Sequence, residues 1–192
     1  MSVLIIGLLI FLGAHSVRIF AEDWRAERIA RLGLYGWKGL YALVSLVGFG
    51  LIVWGYGLSR EHALLVWDPP TWTRHVAALL TLPAFILVAA AYVPGNHIKA
   101  ALGHPMVAGV KLWAIAHLIA NGSLGDIVLF GAFLAWAVLD FRAARRRDRL
   151  SGTRYPAGTA TRDAIAVTLG LAVWGAFAGY LHAWLIGVRP FG

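Results

Sequence analysis

The chain has 192 residues, 60% hydrophobic and 14% charged, with nine tryptophans and a net charge of +8. A soluble domain usually carries about 45–50% apolar and about 25% charged residues, so this composition points away from a soluble globule and toward a membrane protein. The basic residues fall between apolar runs, which argues against a nucleic-acid partner. The absence of cysteine excludes disulfides, thiolate-held iron–sulfur clusters, covalent c-type haem attachment and cysteine nucleophiles.

A membrane-crossing helix needs about 20 mostly apolar residues, within a range of roughly 17–25. Six segments fit: 3–20, 37–58, 75–93, 105–121, 124–141 and 164–187. They predict an all-α polytopic membrane protein, one domain over 1–192, built as a bundle of about six transmembrane helices. The opening "MSVLIIGLLIFLGAH" lacks a basic n-region and a small-residue cleavage site, so it reads as a retained span. After it, "EDWRAERIARLG" is expected along the cytoplasmic interface, with Trp24, Ile29 and Leu32 on its apolar face. The loop "SREHALLVWDPPTWTRH" suits the outer side, where Trp67 and Trp72 join the interfacial aromatic belt and Pro69-Pro70 makes a stiff turn. His62 and His97 read as loop residues. Between spans four and five, "NGSLGD" is a tight turn: Asn121 and Gly122 stop one helix, and Asp126 sits in the first turn of the next.

Charge orients the bundle. The first, third and fifth connections hold thirteen basic residues, seven of them in "RAARRRDRLSGTRYPAGTATR"; the opposite side has Arg60, Arg74 and Arg189. The positive-inside rule then puts both termini on the non-cytoplasmic side. The arginine-rich 142–162 loop reads as a topology signal beside anionic lipid.

Ionisable residues inside a span cost at least a few kcal/mol unless they find a partner or water. His15 lies on span one in a stripe with Leu8, Phe11 and Arg18. His117 lies on span four, sharing its stripe with Val110, Trp113 and Asn121. His75 opens span three, His104 precedes Pro105, and His182 sits near the outer end of span six. Histidines on different helices suggest a haem sandwiched in the bundle, its propionates met by Arg18 with help from Lys111 or Arg28. Two other readings stay open: structural hydrogen bonding between helices, and a non-haem metal or proton path. His104 and His117 cannot share one iron, because thirteen helical residues separate them by about 20 Å of rise. Lys111 either snorkels to the cytoplasmic surface or contacts a cofactor.

These residues resemble a known family. "FLGAHSVR", "LVSLVGFGLIVWGY", "LVWDPPTW", "HPMVAGVKLWAIAHLIANGSLGDIVLFGAFLAWAV" and the arginine cluster after them are similar to the NnrU family of bacterial integral membrane proteins. The same domain forms the plant and algal 15-cis-zeta-carotene isomerase, a haem b enzyme. The resemblance implies a multi-pass protein of the bacterial inner (plasma) membrane that binds haem b through His15 and His117. It implies His75 as a third histidine for ligand exchange, and it matches the family's His-Pro with His104-Pro105. Trp113, Asn121, Arg18 and Lys111 are the other expected cofactor contacts. The implied activity is cis–trans isomerisation of a hydrophobic polyene. The alternatives are a nitric oxide or redox sensor, or an assembly factor associated with denitrification, and a haem-free scaffold. The chain departs from the family's pattern at Gly33-Leu34 and Trp37-Lys38, where Gly-Glu and Tyr-Arg are expected, and at Lys111, where the isomerase has a neutral residue. By linear counting His15 lies toward the cytoplasm and His117 slightly past the middle toward the outside. If tilt of the helices does not close that offset, His104 becomes a rival partner for His15.

Overall fold

The computed structural model describes residues 1–191. Apolar runs become helices because lipid offers no partner for backbone N–H and C=O groups, which must then bond within their own segment. In chain order they are α1 Ser2–Phe20, α2 Glu22–Glu61, α3 Trp72–Tyr92, α4 His97–Leu102, α5 Pro105–Ala120, α6 Leu124–Ser151, α7 Ala160–Ala176, a π-helical turn Phe177–Leu181 and α8 His182–Ile186. No strand occurs among the described residues, only an isolated bridge between Leu65 and Ser123.

Five helices are long and apolar enough to cross a membrane: α1, α2, α3, α6 and the continuous stretch Ala160–Ile186. The 16-residue α5 is apolar but shorter. At 1.5 Å per residue it spans about 24 Å, against roughly 30 Å of hydrocarbon. Large apolar side chains such as Leu9, Leu46, Phe49, Trp54 and Leu79 are exposed. Water would penalise that surface and a bilayer would not.

Four boundaries differ from the sequence-based expectation. Span five does not end at 141: α6 runs on to Ser151, so Arg142, Arg145, Arg146, Arg147 and Arg149 lie on a helix, and the connection read as an arginine-rich 142–162 loop is only the stretch between α6 and α7. The interfacial stretch and span two form one helix, α2, broken at Gly33, whose φ of 72° suits a residue without Cβ. His97 is not in a loop; it opens α4, capped by Asn96, whose side chain accepts from the Lys99 amide. The last span begins earlier than residue 164, at Ala160, because Thr159 caps it.

Each helix touches its neighbours in the order α2, α1, α6, α5, α3, α7. Glycines set the closest approach. Gly55 faces Leu4, Gly7 faces Leu51 and Ile52, and Gly48 faces Phe11. Partner numbers fall as those of α1 rise, so α1 and α2 run antiparallel. On the other flank Gly109 of α5 meets Ala84 and Val88 of α3, and Gly170 of α7 meets Ile86. Leu4, Leu8, Ile52, Leu129 and Phe130 form the core between α1, α2 and α6.

The α5–α6 turn is held tightly. Asn121 ends α5, and Ser123 and Asp126 form a capping box at the start of α6. The outer loop is stitched to this turn by the Val66 amide donating to the Gly122 carbonyl at 2.9 Å and the Leu124 amide donating to Leu64 at 2.8 Å. A Cβ at Gly122 would overlap the Trp67 carbonyl.

Candidate functional site

The helix places His15 one turn beyond Phe11, and its Nδ1 lies 2.7 Å from the Phe11 carbonyl. His117 repeats this geometry one turn beyond Trp113, at 2.8 Å. A carbonyl only accepts, so Nδ1 must carry the proton in both rings. Nε2 then keeps its lone pair, and it makes no hydrogen bond among the described residues. That is the tautomer a metal takes, with the outer nitrogen fixed by a backbone oxygen.

Aromatic rings surround both imidazoles. His15 stacks on Phe11 at 4.2 Å and meets Tyr41 at 5.2 Å and the edge of Trp136 at 6.0 Å. The buried Trp136 Nε1 there has no hydrogen-bond partner among the described residues. His117 stacks on Phe130 at 4.5 Å, meets Trp113 at 5.0 Å and lies 6.5 Å from the ring of His182.

The structure does not bring His15 and His117 together. His15 meets α6 at Trp136, and His117 meets it at Phe130. Six helical residues correspond to about 9 Å of rise and about a third of a turn. Phe133 stands between, touching Phe11 at 5.9 Å and Trp113 at 5.6 Å. Two axial nitrogens on one iron would be about 4 Å apart, at about 2 Å per bond. Each ring fits haem in kind; as a pair around one iron they do not fit in this arrangement.

The other expected residues are spread along α1, α3 and α5. Arg18 is exposed and faces Glu22, Nε to Oε2 3.5 Å. Lys111 sets its ammonium 3.7 Å from the centre of the Phe141 ring, a cation–π contact. The Asn121 amide donates to the His117 carbonyl at 2.8 Å. His75 is exposed and lines an apolar surface pocket of about 320 Å³ with Leu79, Leu82, Trp174 and Phe191. His104, the rival ligand, puts Nε2 2.9 Å from Asp148 Oδ2, so that nitrogen is occupied by a carboxylate.

Three constellations carry no sign in the sequence. Tyr155 donates to Asp148 at 3.0 Å, closing a His104–Asp148–Tyr155 cluster that ties the start of α5 to the far end of α6. Partial burial raises the Tyr155 phenol above its ordinary range, and the bond to Asp148 adds to the rise. Tyr56 donates to the buried Asp126 at 2.6 Å. His182 faces His117 from the far end of the chain. Helical spacing signals which residues share a face, but not which faces meet.

Membrane-length apolar helices, an exposed apolar surface and imidazoles held among aromatic rings define a multi-pass helical membrane protein. The chain belongs to the NnrU family: the family model described as NnrU protein matches residues 3–190, nearly the whole chain. No curated protein and no solved structure matches it.

Proposed function

We propose that this NnrU protein is a haem b-binding protein of the bacterial inner membrane, a single domain with six crossings and both termini outside. His117 would hold its iron; His15, which the family resemblance implies as the second ligand, does not reach the same iron in this arrangement. The observation that carries this reading is the shared anchoring of the two rings: each spends Nδ1 on a carbonyl one turn back and offers Nε2 to an aromatic, apolar surrounding. Neutral imidazole ligates iron, and a porphyrin face suits Phe and Trp rings.

Bound haem would supply a redox-active iron centre, which His117 would hold. The chain's own contribution is to fix the imidazole tautomer, exclude water with Phe11, Phe130, Phe133 and Trp113, and admit hydrophobic molecules from lipid. The activity this favours is cis–trans isomerisation of a hydrophobic polyene.

Purified protein should show a Soret band, with paired visible bands on reduction, and His117→Ala should lose the pair while His62→Ala keeps it. A wild-type spectrum without a Soret band, after expression with haem supplied, rejects the reading. Reduced protein should convert a tri-cis carotenoid, followed by chromatography; no product would leave the haem with a sensing role toward nitric oxide or redox state.

A further inference from the structure

Arg145 and Arg149 lie four residues apart near the end of α6, on one face of the helix. Gly152, at φ 64°, ends the helix and turns the chain. Arg154 follows that turn. All three arginines line one surface pocket of about 300 Å³, together with Asp148, Thr153 and Tyr155. None of the three forms an ion pair among the described residues.

The pocket is braced by its neighbours. The Tyr155 hydroxyl donates to Asp148 Oδ2 at 3.0 Å, and His104 Nε2 lies 2.9 Å from the same oxygen. Tyr155 also packs over Gly103, where a Cβ would come within 2.9 Å of its ring. These contacts pin the 152–155 turn to the start of α5. The last carbonyls of α6 are in use: the Gly152 and Thr153 amides donate to the Asp148 carbonyl, and the Ser151 hydroxyl donates to the Arg147 carbonyl at 2.9 Å. Asp148 is the one acid in the lining among the described residues. Its carboxylate and the helix end together supply about one and a half negative charges, against three guanidiniums. The lining is therefore net positive, and its like charges repel until an anion enters.

Depth decides which anions can reach it. The apolar run of α6 ends at Phe141. Arg145 stands about 6 Å further along the axis, and Arg149 about 12 Å. The polar layer on each side of the hydrocarbon is about 5–7 Å thick, so Arg145 lies within it and Arg149 just beyond. Guanidiniums meet phosphate oxygens through paired N–H donors, and basic pockets at the ends of membrane helices hold lipid headgroups in this way. We propose that the pocket lined by Arg145, Arg149 and Arg154 binds a phosphoryl group, with an anionic phospholipid headgroup as the nearest source. The proposal is independent of the haem reading, because none of these residues enters it.

The test uses the full-length protein in detergent, titrated with phosphatidylglycerol and, in parallel, with phosphatidylcholine. Native mass spectrometry counts the bound lipid. Wild type should prefer phosphatidylglycerol. Combining Arg145→Gln, Arg149→Gln and Arg154→Gln should weaken that binding about a hundredfold, at about fivefold per arginine. Combining Arg31→Gln, Arg146→Gln and Arg162→Gln removes the same charge from exposed positions outside the pocket. At about 0.15 M salt, where exposed charges more than about 8 Å away are screened, that control should change affinity less than about threefold. Should the pocket triple aggregate, Arg149→Lys keeps the charge without the paired donors and should still bind more weakly. Equilibrium dialysis against labelled inorganic phosphate separates the sources. Phosphate uptake lost in the pocket triple, without a preference for phosphatidylglycerol, keeps the phosphoryl site and makes free phosphate its ligand. A phosphatidylglycerol preference without phosphate uptake makes the lipid its ligand. Equal losses in both triples, or none in the pocket triple, would overturn the proposal. So would a wild type that shows neither the preference nor the uptake.

Discussion

A histidine in a lipid-facing helix is costly only while a polar atom lacks a partner. His15 and His117 solve half of that problem identically, by bonding Nδ1 to a carbonyl four residues back. The other half, Nε2, is left open, and that asymmetry separates them from His104, whose Nε2 meets a carboxylate. Asp126 shows the opposite case, with its acceptors filled. Oδ1 takes the Tyr56 hydroxyl at 2.6 Å, and Oδ2 takes the Ser123 hydroxyl at 2.6 Å and its amide at 3.2 Å. Tyr56→Phe removes one donor and leaves a buried carboxylate oxygen short. The expected cost is about 1–3 kcal/mol, seen as a lower melting temperature in detergent, with Ser59→Ala as a milder control. Equal melting of Tyr56→Phe and wild type would show that the bond adds nothing. The carboxylate itself is readable in the sequence as the start of α6. Its tyrosine partner is not, because Tyr56 lies 70 residues away and its spacing marks only a face.

Along α1 and α2 the packing depends on what is missing from the side chains. Without a hydrophobic drive between helices in lipid, close van der Waals approach has to supply the association. Gly7, Gly48 and Gly55 permit it: a Cβ at Gly48 would lie 2.7 Å from the Phe11 amide nitrogen. Gly48→Val should therefore push α1 from α2 at the turn that carries Phe11 and His15. The expected loss is about 1–3 kcal/mol, as for overpacked cores, read as a lowered melting temperature. Gly50→Val on the same helix, where a Cβ meets nothing within 4 Å, should cost far less. If both variants melt alike, the stripe is not the contact it looks to be. Hydropathy located every long helix, since that signal is local and strong. It missed α4 because six residues are too few for a period, although Gly95-Asn96 gives a stop and a cap. It also split α2 in two, because charge density falls on one side of Gly33 and apolar residues on the other, while the backbone stays helical on both.

At the scale of the whole molecule the open quantity is the number of crossings, and parity makes it measurable. From the outer loop to the connection between α6 and α7 the chain passes through α3, α5 and α6. If α5 crosses, the two loops lie on opposite sides; if α5 only dips in, they lie on the same side. The length of α5 alone favours dipping. Its ends argue for crossing. His104, at its start, bonds Asp148 near the far end of α6, while Asn121, at its finish, joins the turn where α6 begins. A helix that runs the apolar length of a crossing neighbour crosses with it, and flanking residues or local thinning absorb the shortfall of about 6 Å. Because the chain has no cysteine, single cysteines report cleanly. Ala63→Cys and Ala157→Cys both occupy exposed connections. A membrane-impermeant maleimide should label Ala63→Cys in cells whose outer membrane alone is opened, and Ala157→Cys only after the inner membrane is lysed. Labelling of both before lysis would mean that α5 does not cross. The reverse pattern would keep six crossings but turn the molecule over, placing thirteen basic residues outside against the usual charge rule.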